Sequence, residues 1–290
     1  MRGFSSFACI DWSGAALARP PGIAVAQIGV EGPPALITPD RHWSRADIAG
    51  WLEDHADAQS DILIGMDMSF AFPFEDKDGY FPEWDDSPPN ARSLWALVDS
   101  ICADDPHLGA SGFLKHPQGR RHFRHAKGNI GDLFEGSIGR LRRVEHHQRA
   151  TRQANSWSCF NLVGAGQVGK GSLTGMRILH RLNGRIPIWP FDPVPDTGPM
   201  VIEIYTSMAA RAAGLPAGRS KIRSRIALEM ALAALGCDTP ELLVHYDDHS
   251  TDALITAAWM RNMVGNPAIW APANLNSQIA ATEGWTFGVI

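Results

Sequence analysis

The chain predicts an α/β fold, a mixed sheet of five strands flanked by helices. Three observations predict it. Apolar runs of strand length are bounded by turn residues, while longer stretches with apolar residues on one face suit helices. The first three strand-like runs follow one another with no helix between them, which suits an antiparallel meander. A helical stretch separates the third run from the fourth, which allows strands one and four to lie side by side and parallel.

Phe7–Trp12 is the first strand, an unbroken apolar run closed by Asp11 and the turn Trp12-Ser13-Gly14. Such a run suits a strand buried on both faces. Ile23–Ile28 is the second, reached through Arg19-Pro20-Pro21-Gly22. Ala35–Ile37 is the third, after the turn Glu31-Gly32-Pro33-Pro34. Ser44 is expected to cap a helix from Arg45 to Ala58, with Ile48, Trp51 and Leu52 on one face and Asp47 in the first turn. Asp61–Asp67 repeats the opening pattern, an apolar run closed by a carboxylate, and Met68–Pro73 follows as a loop. Ser87-Pro88-Pro89 suits the start of a helix running to Cys102. Gly112–Gly131 suits a loop, Ile138–Arg149 a helix with a basic face, and Phe160–Val163 a short strand. A glycine-rich loop, Gly164–Gly171, then leads into a helix from Ser172 to Leu182. Met200–Tyr205 is the fifth strand of the sheet, with Glu203 in its interior. Lys221–Leu235 is a helix stopped by Gly236. The last helix runs to Met260, with Asp248 or Ser250 as its cap and Asp252 in its first turn.

The 290 residues, 44% apolar and 20% charged, suit a globular domain able to bury a sizeable core. Cys9, Cys102, Cys159 and Cys237 are far apart and form no C-x-x-C pair, which argues against a zinc site and a disulfide framework and suits a reducing cytoplasm. The sequence shows no signal peptide and no membrane span, and it sets no oligomeric state. The net charge of −5 conceals an asymmetry: Lys115–Arg152 holds ten Lys/Arg against three Asp/Glu. A basic cluster on an acidic chain is a footprint for a polyanion, a nucleic acid or nucleotide among them, although a charge run also serves as a solvated face.

Four acidic positions stand on or beside apolar elements, where charge is unfavourable: Asp11, Asp67, Glu203 and the pair Asp248/Asp252. Each also has a structural reading. Asp11 can accept from the amides of Ser13 and Gly14, Asp67 can cap its loop, Glu203 can pair with an arginine, and Asp252 can answer a helix dipole. If strands one and four are parallel neighbours, Asp11 and Asp67 end side by side, and bare carboxylates that close repel one another. A hard cation, Mg²⁺ or Mn²⁺, resolves that repulsion, and a pair of such ions can assist phosphoester hydrolysis.

At Ile10–Gly14, Ile64–Pro73, Val201–Tyr205, Asp248–Leu254 and Glu283–Gly288 the sequence resembles an uncharacterised family of predicted nucleases, domain-of-unknown-function family 429, and the element order resembles the ribonuclease H-like fold. The resemblance implies one ribonuclease H-like domain over residues 1–290 and a catalytic, metal-binding acidic cluster at Asp11, Asp67, Glu203 and Asp252, with Asp248 as an alternate ligand. The stretch between Asp67 and Glu203 exceeds what that fold needs, so residues 74–172 are expected to form an inserted helical cap between strands four and five.

The expected activity is divalent-metal-dependent phosphoester hydrolysis, nuclease-like, on a nucleic acid or nucleotide. Arg120, Arg121, Arg124, Lys127, Arg140, Arg142 and Arg143 are candidates for a phosphate-binding wall opposite the acids. Gly164–Ser172 has the spacing G-x-x-x-x-G-K, but Gly171 stands where a nucleotide P-loop needs Ser or Thr. The more modest expectation is that Lys170 and Ser172, with Ser13 across the way, hold a phosphate of the substrate. His122 and His125 can pair on a metal, and His249, between Asp248 and Asp252, can move a proton. Two other classes compete. An actin-like ATPase or phosphotransferase would use Asp11–Gly14 as a phosphate loop, and a non-catalytic anion-binding protein would keep the acids for structure.

Overall fold

The computed structural model describes residues 2–164, 167–216 and 221–290. β1 (Ser6–Asp11), β2 (Ala24–Gly29) and β3 (Ala35–Leu36) form the expected antiparallel meander. α1 (Arg45–Asp57) opens on a reciprocal cap: Ser44 Oγ accepts from the Asp47 amide, and the Asp47 carboxylate accepts from the Ser44 amide. β4 (Ile62–Met66) returns parallel to β1 with Ile10 opposite Met66.

α2 (Ala91–Ile101) starts two residues beyond the prolines, where the Asn90 side chain accepts from the Ser93 amide. Short α3 (Ser111–Lys115) follows. α4 (Arg143–Ala150) is shorter than the expected helix from Ile138. Gly139 holds a φ of +84°, which no helix accommodates, and Arg142 is extended, its amide donating to Glu145 at 2.6 Å. Phe160–Val163 is not a strand; it makes one bridge, through Asn161 to Arg124. α5 (Val168–Leu182) begins four residues earlier than expected and takes in Gly169, Lys170 and Gly171, while Ala165 and Gly166 of the glycine-rich loop lie outside the described residues.

The sheet has six strands rather than five. The addition is β5 (Ile188–Trp189), which pairs parallel with β6 (Met200–Glu203). Pro187 and Pro190 bound it, so it is too short to show an alternating pattern. The strand order is β3-β2-β1-β4-β6-β5. α6 (Thr206–Ala212) leaves β6 at once. α7 (Arg225–Ala234) is capped by Ser224, and α8 (Asp248–Met263) by Asp247, whose carboxylate accepts from both the amide and the hydroxyl of Ser250. Asp252 therefore sits one turn deeper in α8 than expected. Two short helices, α9 (Pro267–Trp270) and α10 (Ser277–Thr282), close the chain.

Side chains alternate across the sheet. Ala8, Ile10, Ile64, Met66 and Val201 face α1, α2 and α5. Phe7, Cys9, Leu63 and Ile202 face α6, α7 and α8. Much of residues 74–172 joins the first of these clusters. Tyr80, Phe81, Trp84, Phe113, Phe123 and Phe160 are buried there, with Phe72 and Phe160 stacked at 4.9 Å between centroids. Long irregular stretches link the three helices that precede α5 in that segment. All four cysteines are buried and unpaired. Among the described residues, no helix is long and apolar enough to cross a membrane.

α5 braces both turns that follow the central parallel strands. A Cβ on Gly14 would come within 2.4 Å of the Lys170 carbonyl carbon and the Gly171 nitrogen, and one on Gly175 within 1.6 Å of Met68 Sδ. At Gly14 the approach is backbone to backbone and requires glycine, while at Gly175 the neighbour is the flexible end of the Met68 side chain. Trp12 Nε1 donates at 3.0 Å to the Gly171 carbonyl and sits at the same distance from Thr174 Oγ1.

Candidate functional site

The register of β1 against β4 decides the geometry. Ile10 lies opposite Met66, so the next residues, Asp11 and Asp67, leave the carboxyl ends of two adjacent parallel strands, and the Asp67 amide donates to the Ile10 carbonyl at 3.0 Å. By alternation both carboxylates follow Cys9 toward the α6 and α8 side. Asp252 comes to the same region from α8, and Cys9 feels the charges of all three acids. The structure thus brings together Asp11, Asp67 and Asp252.

These carboxylates are poorly neutralised. Among the described residues no lysine or arginine forms an ion pair with any of them. Asp11 Oδ2 lies 3.0 Å from His249 Nδ1, so its partner is His249 and not the amides of its own turn. Asp67 Oδ2 accepts from Thr206 Oγ1 at 2.9 Å, at the head of α6. Burial pushes Asp67 up to about 8, and the charge of Asp11 adds to the shift. Burial, then Asp11 and Asp248, push Asp252 up to about 7. Burial raises Asp11 too, against the opposing pull of His249, and that hydrogen bond in turn raises His249.

A pH dependence follows. Both folded-state values stand above that of an unfolded carboxylate, so ionisation opposes folding. The stability linked to these groups is complete below about pH 4 and is lost as pH rises to about 8 for Asp67 and about 7 for Asp252. In metal-free buffer the melting temperature is expected to fall between about pH 5 and pH 8. Asp67→Asn should gain about 1–3 kcal/mol at pH 8 and nothing at pH 4, read by urea unfolding at the two pH values. A variant less stable than wild type at pH 8 would show that Asp67 holds the fold as an anion.

The other expected acidic ligands are held by cationic partners. Glu203 lies opposite Met66, on the other face of the sheet from Asp67. It is 3% exposed, and its oxygens accept from Arg142 Nη1 and Nη2 at 2.8 and 2.6 Å, the Phe70 amide at 2.7 Å and Thr286 Oγ1 at 2.6 Å. A carboxylate so fully engaged holds the fold; the structural reading, pairing with an arginine, is the one the structure shows. Asp248 is drawn outward into ion pairs with Lys221 and with Arg223 at 2.9 Å. Among the described residues no three Asp, Glu, His or Cys side chains already stand close enough together to hold a metal ion.

The phosphate candidates divide as well. Ser172 is buried, its hydroxyl donating to the Val168 carbonyl and accepting from the Ser69 amide, so it holds two backbones and not a phosphate. Arg121 is clasped by Asp132 and Glu83. Arg140 is buried against Asp76 and three carbonyls, and Arg142 against Glu145 and Glu203. Arg124 and Lys127 are exposed, and neither lines the pocket at the acids. Ser13 and Lys170 both line a second cavity. Among the described residues no strand leads directly into the glycine-rich loop, so the strand–loop–helix unit of a nucleotide P-loop is not formed. His122 and His125 do not pair. His122 is buried 5.3 Å from the Phe81 ring, and burial followed by the charges of Arg140 and Arg121 pushes it down to about 4. His125 Nε2 meets the Arg120 carbonyl.

A pocket of about 340 Å³ opens at the acids, lined by Asp67, Trp12, Gln148, Trp157, Tyr205 and His249 among others. Sequence reasoning gave no role to Trp157, to Arg142 as the partner of Glu203, or to Thr206. An exposed indole leaves no periodic signal, and the other two act only through long-range contacts. No family model, curated protein or solved structure matches this chain.

Proposed function

We propose that this protein is a divalent-metal-dependent phosphoester hydrolase of ribonuclease H-like architecture, acting on a nucleic acid or nucleotide. One observation carries the reading: three carboxylates from β1, β4 and α8 lie within electrostatic reach of one another near the carboxyl ends of parallel strands, with raised proton affinities and, among the described residues, no lysine or arginine ion pair. A fold gains nothing from such a grouping by itself. The strand order, a meander followed by parallel strands with an acid-bearing final helix, supports the architecture.

The donor set suits Mg²⁺ or Mn²⁺, since all three groups offer hard oxygen ligands and, among the described residues, none of them has a lysine or arginine ion pair. Asp11, Asp67 and Asp252 would hold the metal. When bound, it would supply Lewis-acid polarisation of a phosphoryl oxygen. The chain's own residues do the rest. Asp11 fixes the His249 ring through Nδ1, which leaves Nε2 as the nitrogen that takes or gives a proton at the pocket wall. Thr206 orients Asp67 from the head of α6. Trp157, 36% exposed, offers a face on which a nucleobase can stack.

The test is hydrolysis of a phosphodiester panel (a dinucleotide, single-stranded and duplex oligonucleotides) with Mg²⁺, with Mn²⁺ and with chelator. Turnover that chelation abolishes is expected; no turnover on any member with either metal contradicts the reading. Trp157→Ala is expected to raise KM for a nucleotide substrate about tenfold with kcat within about twofold, the signature of lost base stacking. An unchanged KM would remove Trp157 from the substrate site.

A further inference from the structure

Beside the acid pocket, and sharing Trp12, Gly14, Gln167 and His249 with it, lies a second cavity of about 490 Å³. Its walls are the turn after β1, residues 109–114 and the first turns of α5. The two cavities differ in charge. Asp67 lines the first together with Glu145 and Glu203, which Arg142 pairs with there, whereas among the described residues no aspartate or glutamate lines the second. Lys170 does, exposed and without an ion pair among the described residues.

Behind this wall lie two arginines, each 1% exposed. Arg45 donates to the carbonyls of Ser13 at 2.8 Å, Ala15 at 2.5 Å and His107 at 3.0 Å. Arg177 donates to the Gly109 carbonyl at 2.6 Å and pairs with Asp99. Among the described residues Arg45 has no carboxylate partner at all. Burial, and then the charge of Arg177, push Arg45 down to about 10, so the two guanidiniums are close enough to repel. The carbonyls that Arg45 engages do not cancel its charge, whereas Asp99 offsets that of Arg177. The wall that Ser13, Ala15 and Gly109 present to the cavity is therefore backed by positive charge, and Lys170 adds to it from the rim.

We infer that this second cavity receives a phosphate group of the substrate other than the one cleaved, so that the substrate is a single-stranded nucleotide chain carrying at least two phosphates. The inference rests on the hydrolase reading, which places the cleaved phosphate at the acids next door. A phosphate suits a pocket with a cationic backing, an exposed lysine, two hydroxyls (Ser13 and Ser111) and, among the described residues, no carboxylate. Both cavities have small-molecule volumes, which suits a single strand entering end-on and not a duplex lying across the sheet.

The test compares a 5′-phosphorylated dinucleotide with its dephosphorylated form by calorimetry, in metal-free buffer at low salt. Wild type is expected to bind the phosphorylated form at least about tenfold more tightly. Lys170→Gln and Ser111→Glu, both at exposed positions, should each shrink that difference to within about threefold, and Lys170→Arg should keep it. Equal affinity for the two forms in wild type, or a difference that survives both Lys170→Gln and Ser111→Glu, overturns the inference. A parallel Mn²⁺ titration separates the two claims. Metal binding without the phosphate preference leaves the hydrolase and removes this subsite. The preference without metal binding leaves the subsite and removes the hydrolase.

Discussion

Replacing Asp11 with asparagine is expected to lower metal-dependent phosphodiester hydrolysis by about a thousandfold while the protein stays folded. The substitution keeps the shape and an oxygen that can still accept from His249 Nδ1. It removes the negative charge that would hold the metal, and with it the electrostatic stabilisation of the reaction, a class of effect worth about 10²–10³ or more in rate. Because burial already disfavours the ionised form, the variant should be at least as stable as wild type at neutral pH. The measurement is kcat and KM on a dinucleotide with Mg²⁺ and with Mn²⁺, beside a urea unfolding curve. A loss smaller than about tenfold would take Asp11 out of the reaction.

Arg142→Ala is expected to have the largest effect on stability, a loss of about 3–5 kcal/mol. Arg142 is 1% exposed and joins three parts of the chain. It grips Glu145 in α4, both oxygens of Glu203 at the end of β6, and the Glu283 carbonyl after α10. Removing it leaves two buried carboxylates without their cation and opens the space the side chain filled. Arg142→Met with Glu203→Gln should recover part of the loss, because the pair is worse broken than replaced. Denaturant unfolding of the two variants decides it, and a loss under about 1 kcal/mol for Arg142→Ala would mean the network is not what fixes this end of the sheet. The consequence reaches the site, since Glu203 also receives the Phe70 amide from the loop that follows Asp67.

Asp11 and Asp67 were legible in the sequence because each closes an apolar run, and parallel pairing alone then sets them side by side. Asp252 was legible because an acid on an otherwise apolar helix face is unusual. Glu203 shows where such reading stops. It too stands in an apolar run, but which face it takes depends on the register of β6 against β4, and a shift of one residue reverses the face. Register is a property of the sheet, not of the run. The basic segment shows the same limit. A count of arginines does not tell an exposed one such as Arg124 from Arg140 or Arg142, which are buried clamps for carboxylates and carbonyls. β5 was missed because two residues between prolines carry no period. The α8 cap was misplaced because Asp247, Asp248 and Ser250 are all good cap residues, and packing selects among them.

The most direct test of the proposed metal site is a calorimetric titration of Mn²⁺, at about pH 8 and up to millimolar metal, into wild type and into folded Asp11→Asn. Saturable binding by wild type that disappears in the variant is the predicted result, since the three carboxylates would then share a cation that none of them holds alone. Equal binding by the two proteins, or none by wild type either alone or with a dinucleotide present, would contradict it and leave Asp11, Asp67 and Asp252 without a metal to share.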